Sequence, residues 1–421
     1  MNVILKKATV LDVNSPYNNQ TVDIKIENGI ITEIAIEISA ITNFKIINYT
    51  HLMVSPGWFD SSVSFGEPGY EDRETIANGL LTAAKSGFTA VALQPNSTPT
   101  IDNQSQIYFV KSKAVNQATD LFPIGAFTKN SEGNDMAEMY DMQNAGAIAF
   151  GDYQKSMSNA NLLKIGLQYV QDFDGLILAF SQDKTIKGNG VVHEGIISTT
   201  LGLKGIPALA EEVEIARNLF LLEYTGGKLH IPTISTAKSV QLIKQAKAKG
   251  LQVTCSVAVH NLVLTDAILT EFDTRAKVIP PVRDEYHRQA LLNGVLDGTI
   301  DMITSDHNPL DVELKKMEFD NAKYGTIGLE SAFITLQTVL PTEIIVKKLT
   351  AAKSIFKIEN TSININQKAS ITLFTNHGEG VFTKQNIISK SKNSIFLNHP
   401  TQGKVYGVYN NKTLVTNEEG I

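Results

Sequence analysis

Cysteine is almost absent from this sequence: Cys255, inside the apolar run LQVTCSVAV, is the only one in 421 residues. No internal disulfide can form, which suits a reducing compartment, and a small buried core residue is the ordinary reading of such a thiol. Long hydrophobic runs are missing too. The start, MNVILKKATVLDV, lacks the apolar stretch of a signal peptide, and nothing approaches the 18 or more apolar residues of a membrane span. A cytoplasmic location is the expectation. Positive charge is not in surplus: 37 Lys and Arg against 43 Asp and Glu leave a net charge of −6 and a pI near 5.8. That balance argues against nucleic acid or an anionic membrane as the main partner. The eight histidines show neither His-x-His nor His-Glu-x-x-His spacing, so no metal motif stands out among them. Internal repeats, low-complexity tracts and Gly-Ser linkers are also lacking.

What is present is an ordinary globular composition, 43% hydrophobic and 19% charged, in a chain long enough for one large α/β domain and a smaller one. Residues 1–52 read as short alternating strands, in VILKKATVLD, TVDIKIENG and ITEIAIEI, between Asn and Gly turns. From 53 to 358, apolar strands such as FTAVALQP, AGAIAFGD, GLILAFSQD and TIDMITSD alternate with helical stretches such as AKSVQLIKQAKAKG. Strands alternating with helices over this length predict a parallel sheet closed into a (β/α)₈ barrel. Strands return after 359 in KASITLFTN, KVYGVYNN and KTLVTN. The two β-rich ends, 1–52 and 359–421, predict one composite β-sandwich built from both termini.

Several blocks follow one another in a single order: Ser55-Pro56-Gly57-Trp58-Phe59-Asp60, Glu67-Pro68-Gly69-Tyr70-Glu71-Asp72-Arg73-Glu74-Thr75-Ile76, Gly87-Phe88-Thr89-Ala90-Val91 with Gln94-Pro95-Asn96, LGLKGIPALAEEVEIAR at 201–217, TGGKLHIPTISTAKSV at 225–240, KVIPPVR at 277–283 and DGTIDMITSDHNP at 297–309. In this order and spacing the chain resembles dihydroorotases of the long bacterial type, within the amidohydrolase superfamily. The resemblance implies a metal-bearing barrel with a composite sandwich. It also implies interconversion of dihydroorotate and carbamoyl aspartate, using zinc to polarise the amide and activate water and an aspartate to carry the proton.

Position by position, the resemblance also marks what is missing. The two ligand histidines that end the first barrel strand correspond to Ser62 and Ser64, and a following substrate-binding arginine to Gly66. The imidazole of His-x-Glu-Asp corresponds to Phe180, and the second histidine of His-Ile-x-His to Thr233, which leaves His230 structural; aligned the other way, His230 would be a lone surviving imidazole. Two substrate-side polar residues become Ile279 and Leu310. What remains is Asn96 and His307 on the substrate side, Asp306 as the proton shuttle and Asp152 as a possible cation ligand. Hydroxyls and a phenyl ring are poor substitutes for imidazole around zinc.

The leading expectation is a catalytically silent homologue that binds no metal, forms a homodimer and acts as a structural partner of aspartate transcarbamoylase, the enzyme of the preceding step. The alternative is an active dihydroorotase or other cyclic-amide hydrolase with a zinc site rebuilt on Asp152, Asp306 and His230. A third reading is a binding module whose pocket, made greasier by Phe180, Ile279 and Leu310, holds a different metabolite.

Overall fold

The computed structural model describes residues 1–417. Eight parallel strands form the centre, in chain order Trp58–Val63, Phe88–Leu93, Asp120–Pro123, Phe150–Gly151, Ile177–Leu178, Leu229–Ile231, Val253–Ala258 and Met302–Thr304. The first three pair in sequence, as do the last five. Single bridges join the two groups, Gly125 to Phe150 on one side and Val63 to His307 on the other. The sheet is therefore a closed barrel, and the first strand lies beside the end of the eighth.

The helices predicted between strands form where capping residues start them. Asn103 accepts from the backbone N–H groups of Ser105 and Gln106 to open Gln104–Lys113, and Thr236 accepts from that of Ser239 to open Ala237–Ala248. The second of these ends just before Gly250, whose φ of +84° suits a glycine at the helix exit.

Strands from both ends of the chain build one further sheet of eight. Val3–Val10 pairs with Thr21–Glu27, and Met53–Pro56 lies between Val3–Val10 and Ile371–Val381. Its residues share an apolar core of their own that includes Leu5, Ile24, Val54, Ile371 and Tyr409. Met53–Pro56 belongs to this sheet although it falls after residue 52; only Gly57 separates it from the first barrel strand. Conversely, Phe382, Ile387, Ile395 and Phe396, from the C-terminal β-rich span, pack in the barrel's apolar core.

Trp58 couples the two bodies. It is fully buried, stacked on Phe333 with ring centroids 4.8 Å apart and tilted against Phe374 at 5.4 Å. Its indole N–H donates to Ser55 Oγ at 3.0 Å and its backbone N–H to Thr372 Oγ1 at 3.2 Å, both groups of the end sheet. Gly87 lets the ring in: a Cβ there would stand 2.6 Å from the indole. Trp58→Ala is expected to destabilise the protein by about 3–5 kcal/mol. Urea denaturation followed by circular dichroism measures this, since the substitution removes the only tryptophan; a loss under about 1 kcal/mol would mean that the junction does not depend on this side chain.

Candidate functional site

The C-terminal ends of the barrel strands, where barrel sites are built, bring together Ser62, Gln94, Tyr153, Gln154, Thr233 and Asp306. The local sequence Asp60-Ser61-Ser62 makes a turn in which the Ser62 backbone N–H donates to Asp60 Oδ1 at 2.9 Å. This directs the Ser62 hydroxyl to Asp306 Oδ1, 3.1 Å away, while Gln94 Nε2 donates to the same hydroxyl at 3.3 Å. Asp306 itself sits at φ +48°, a left-handed conformation that aspartate tolerates better than most residues. Its other carboxylate oxygen accepts from Gln154 Nε2 at 3.3 Å. Ser64 faces a different partner: its hydroxyl and the Asn96 side-chain amide exchange hydrogen bonds of 2.8 and 3.0 Å.

These contacts leave almost no space. Leu178, Phe180 and Pro232 complete the wall, and the cavity holds about 10 Å³, the lower limit for a single water. One serine hydroxyl, a threonine hydroxyl and one carboxylate around it do not fit zinc, which takes imidazole, thiolate or several carboxylates. Phe180 occupies the wall without a donor atom.

Other residues singled out by sequence turn elsewhere. Asp152, read as a possible cation ligand, is buried: it accepts from the backbone N–H groups of Phe127 and Thr128 at 2.9 and 3.0 Å and from the Thr128 hydroxyl at 2.5 Å. Its carboxylate holds a turn and does not line the cavity. His230 is buried with Nδ1 2.9 Å from Thr254 Oγ1 and Nε2 3.3 Å from Ser256 Oγ, so hydroxyls occupy both nitrogens; Thr233 reaches the cavity instead. His307 accepts at Nδ1 from the N–H groups of Gly328 and Leu329, which ties down the following loop. Ile279 contributes its carbonyl, accepting from Gln154 Nε2 at 3.1 Å. Leu310 is buried, and its N–H donates to Asn393 Oδ1.

Tyr153 and Gln154 are the members that sequence reasoning missed. The signal was adjacency to Asp152, but only the fold shows that the chain turns here, with Tyr153 at φ +54°, so that the next two side chains face Asp306. Burial, chiefly, and then the Asp306 charge hold the Tyr153 phenol well above its usual range. It remains a neutral O–H.

Among the described residues, one group of His, Asp, Glu or Cys side chains is spaced to share a cation: His193, Asp284 and His287. The ring tautomers oppose that use. Arg283 Nη1 lies 3.2 Å from His193 Nδ1 and can only donate, and the Ala237 N–H donates to His287 Nδ1 at 3.0 Å. In both neutral rings the proton therefore sits on Nε2, whereas a histidine that binds metal normally donates through its other nitrogen. His193 Nε2 instead faces Asp284 Oδ2 at 3.6 Å.

Burial pushes Asp306 up to about 7, helped by the nearby Asp60 charge and opposed by the Ser62, Tyr153 and Gln154 hydrogen bonds. An unfolded aspartate titrates near 3.9. The stabilising effect of protonating Asp306 is complete below about pH 4 and is lost as pH rises toward 7. Asp306→Asn is thus expected to raise stability at pH 8 by roughly 1–3 kcal/mol, with the gain shrinking toward pH 4. Denaturation midpoints of both proteins across pH 4–8 test this; a gain independent of pH would remove the buried charge as its cause.

The chain's relatives share this frame. A family model described as dihydro-orotase-like matches residues 51–239. A dihydroorotase of Pelotomaculum thermopropionicum is 38% identical over 403 residues, 94% of each chain, and one of Thermoanaerobacter sp. is 39% identical over 403 residues, 94% of this chain and 93% of that one. Among solved structures, the L-hydantoinase (dihydropyrimidinase) of Arthrobacter aurescens superposes with a TM-score of 0.85 at 21% identity, over 100% of this chain and 97% of that one, a likeness of fold. With relatives of such identity along nearly its whole length, the chain belongs to the dihydroorotase family.

Proposed function

We propose that this chain is a catalytically silent member of the dihydroorotase family, one that binds no zinc and serves as a structural partner of aspartate transcarbamoylase in pyrimidine biosynthesis. The observation that carries this reading is the nearly filled cavity at the barrel mouth, about 10 Å³ and walled by Ser62, Phe180 and Thr233. Without a metal, neither carbonyl polarisation nor water activation is available, a loss of several kcal/mol of transition-state stabilisation. Gly66 agrees: a Cβ there would stand 1.8 Å from the Tyr70 carbonyl oxygen, so the backbone fills the place of the arginine that would grip a substrate carboxylate.

The partner role draws support from one helix. On Leu209–Thr225, the side chains of Leu209, Val213, Phe220 and Tyr224 are 52%, 43%, 70% and 77% exposed. Their spacing of four, seven and four places them on one face, an apolar stripe of the kind that marks protein contacts. The homodimer is part of the same proposal.

One observation favours a second reading, a weak dihydroorotase or other cyclic-amide hydrolase. Asp306, held near neutrality at about 7, is tuned as a general acid or base would be.

Purified protein assayed for dihydroorotate hydrolysis and its reverse, with and without zinc, is expected to give no turnover above an Asp306→Ala control. Zinc-dependent turnover lost in that variant would overturn the silent reading. Coexpression with aspartate transcarbamoylase should give a complex that co-elutes on size exclusion, and the free chain should run at twice its 46.0 kDa; separate elution would remove the partner role. Restoring imidazoles in a Ser62→His, Ser64→His, Phe180→His, Thr233→His variant is expected to restore zinc uptake without turnover, because position 66 still admits no side chain. Metal analysis and the same assay test it.

A further inference from the structure

A basic concavity elsewhere in the protein shares no residue with the cavity at the barrel mouth. It is about 650 Å³, within the range of small-molecule sites. Three segments and Asp72 meet around it: 310–316, which follows the eighth barrel strand; the turn at 273–275; and 384–397, between the last long strands of the end sheet. In a chain of net charge −6, its lining carries six cationic side chains against three acidic ones.

How these cations are held matters more than their number. Arg275 is neutralised by its ion pair with Asp273. The five lysines, Lys315, Lys316, Lys384, Lys390 and Lys392, make no ion pair with a carboxylate among the described residues. Lys315, 5% exposed, donates to the carbonyls of Thr274 and Lys277, both at 3.0 Å. Lys390 donates to the Glu71 carbonyl at 2.7 Å, and Lys392 to those of Ile387 and Ser389 at 3.0 and 2.7 Å. Carbonyls position an ammonium without cancelling its charge, so Lys390 and Lys392 are oriented and still uncompensated; burial lowers Lys315 to about 7, and Lys316 and Lys384 are exposed with no side-chain hydrogen bond among the described residues. Of the remaining acids, Asp311 accepts from the Glu313 N–H at 2.8 Å and Asp72 is exposed, two carboxylates against the four lysines 316, 384, 390 and 392. Leu310, Val312 and Leu397 add an apolar wall.

We infer that this cavity binds a small organic anion bearing two or more negative charges, of the phosphate-ester class, with its charged end on the lysines and its organic part against Leu310, Val312 and Leu397. Lysine serves such a ligand as a point charge with free donors. The inference rests on charge and shape alone and stands whether or not the barrel mouth is silent.

Isothermal titration of the full chain at low ionic strength, with adenosine 5′-triphosphate, inorganic pyrophosphate and adenosine as probes, is the test. Saturable binding is expected for the triphosphate, with pyrophosphate competing and adenosine alone giving no heat. The double variant Lys316→Ala, Lys384→Ala should weaken it roughly tenfold or more. Both side chains are exposed and make no hydrogen bond among the described residues, so an unchanged melting curve is the check on folding. Lys204→Ala with Lys323→Ala, in a separate basic cavity, should leave binding unchanged. Absence of saturable triphosphate binding, binding of pyrophosphate but not the triphosphate, or equal losses in the two double variants would overturn the inference.

Discussion

The barrel closes on a carboxylate. Asp60, with no solvent exposure, accepts from the Ser62 N–H at 2.9 Å on its own strand and, across the seam, from the Ser305 N–H at 2.8 Å and the Thr304 hydroxyl. Burial raises its pKa while these bonds oppose the rise, so the charge is tolerable only with all the donors in place. Strands one and eight are thereby fixed in register, and with them Ser62 and Asp306. Every feature of the barrel mouth follows from that alignment, whichever chemistry the mouth does or does not perform.

Two of the replacements around the mouth are held by the protein itself. Where the family resemblance places imidazoles, Ser62 finds Asp306, Ser64 finds Asn96, and Phe180 fills space among Leu178 and Pro232. The two serine hydroxyls have partners inside the protein, so neither requires a cation to satisfy it. Thr233 and Phe180 narrow the space that remains.

Sequence made the alternation of strands and helices legible, because apolar periodicity and caps such as Thr236 are local. The motifs it singled out also carry Ser62, Phe180, Thr233 and Asp306, which the fold brings around one cavity, and Ser64, which turns to Asn96 instead. It could not show that Tyr153 and Gln154 reach Asp306, because this depends on a left-handed turn at Tyr153. Nor could it show that Asp152 is spent on the 127–128 turn or that 382–396 packs against the barrel, both long-range choices made by packing. The limit at residue 52 missed the strand Met53–Pro56 because a single glycine separates two strands of different sheets, and periodicity alone has no break there.

Gly66 locks its own loop from within. With its N–H on the Glu74 carbonyl and its carbonyl receiving the Tyr70 N–H, at 2.9 and 2.8 Å, the 66–74 segment is drawn together around a residue without a side chain. Any Cβ here would stand 1.8 Å from the Tyr70 carbonyl oxygen. No point substitution at this position can therefore carry a guanidinium into the mouth: a carboxylate-gripping loop requires the surrounding segment to be rebuilt together with the residue, which makes this the least reversible feature of the mouth.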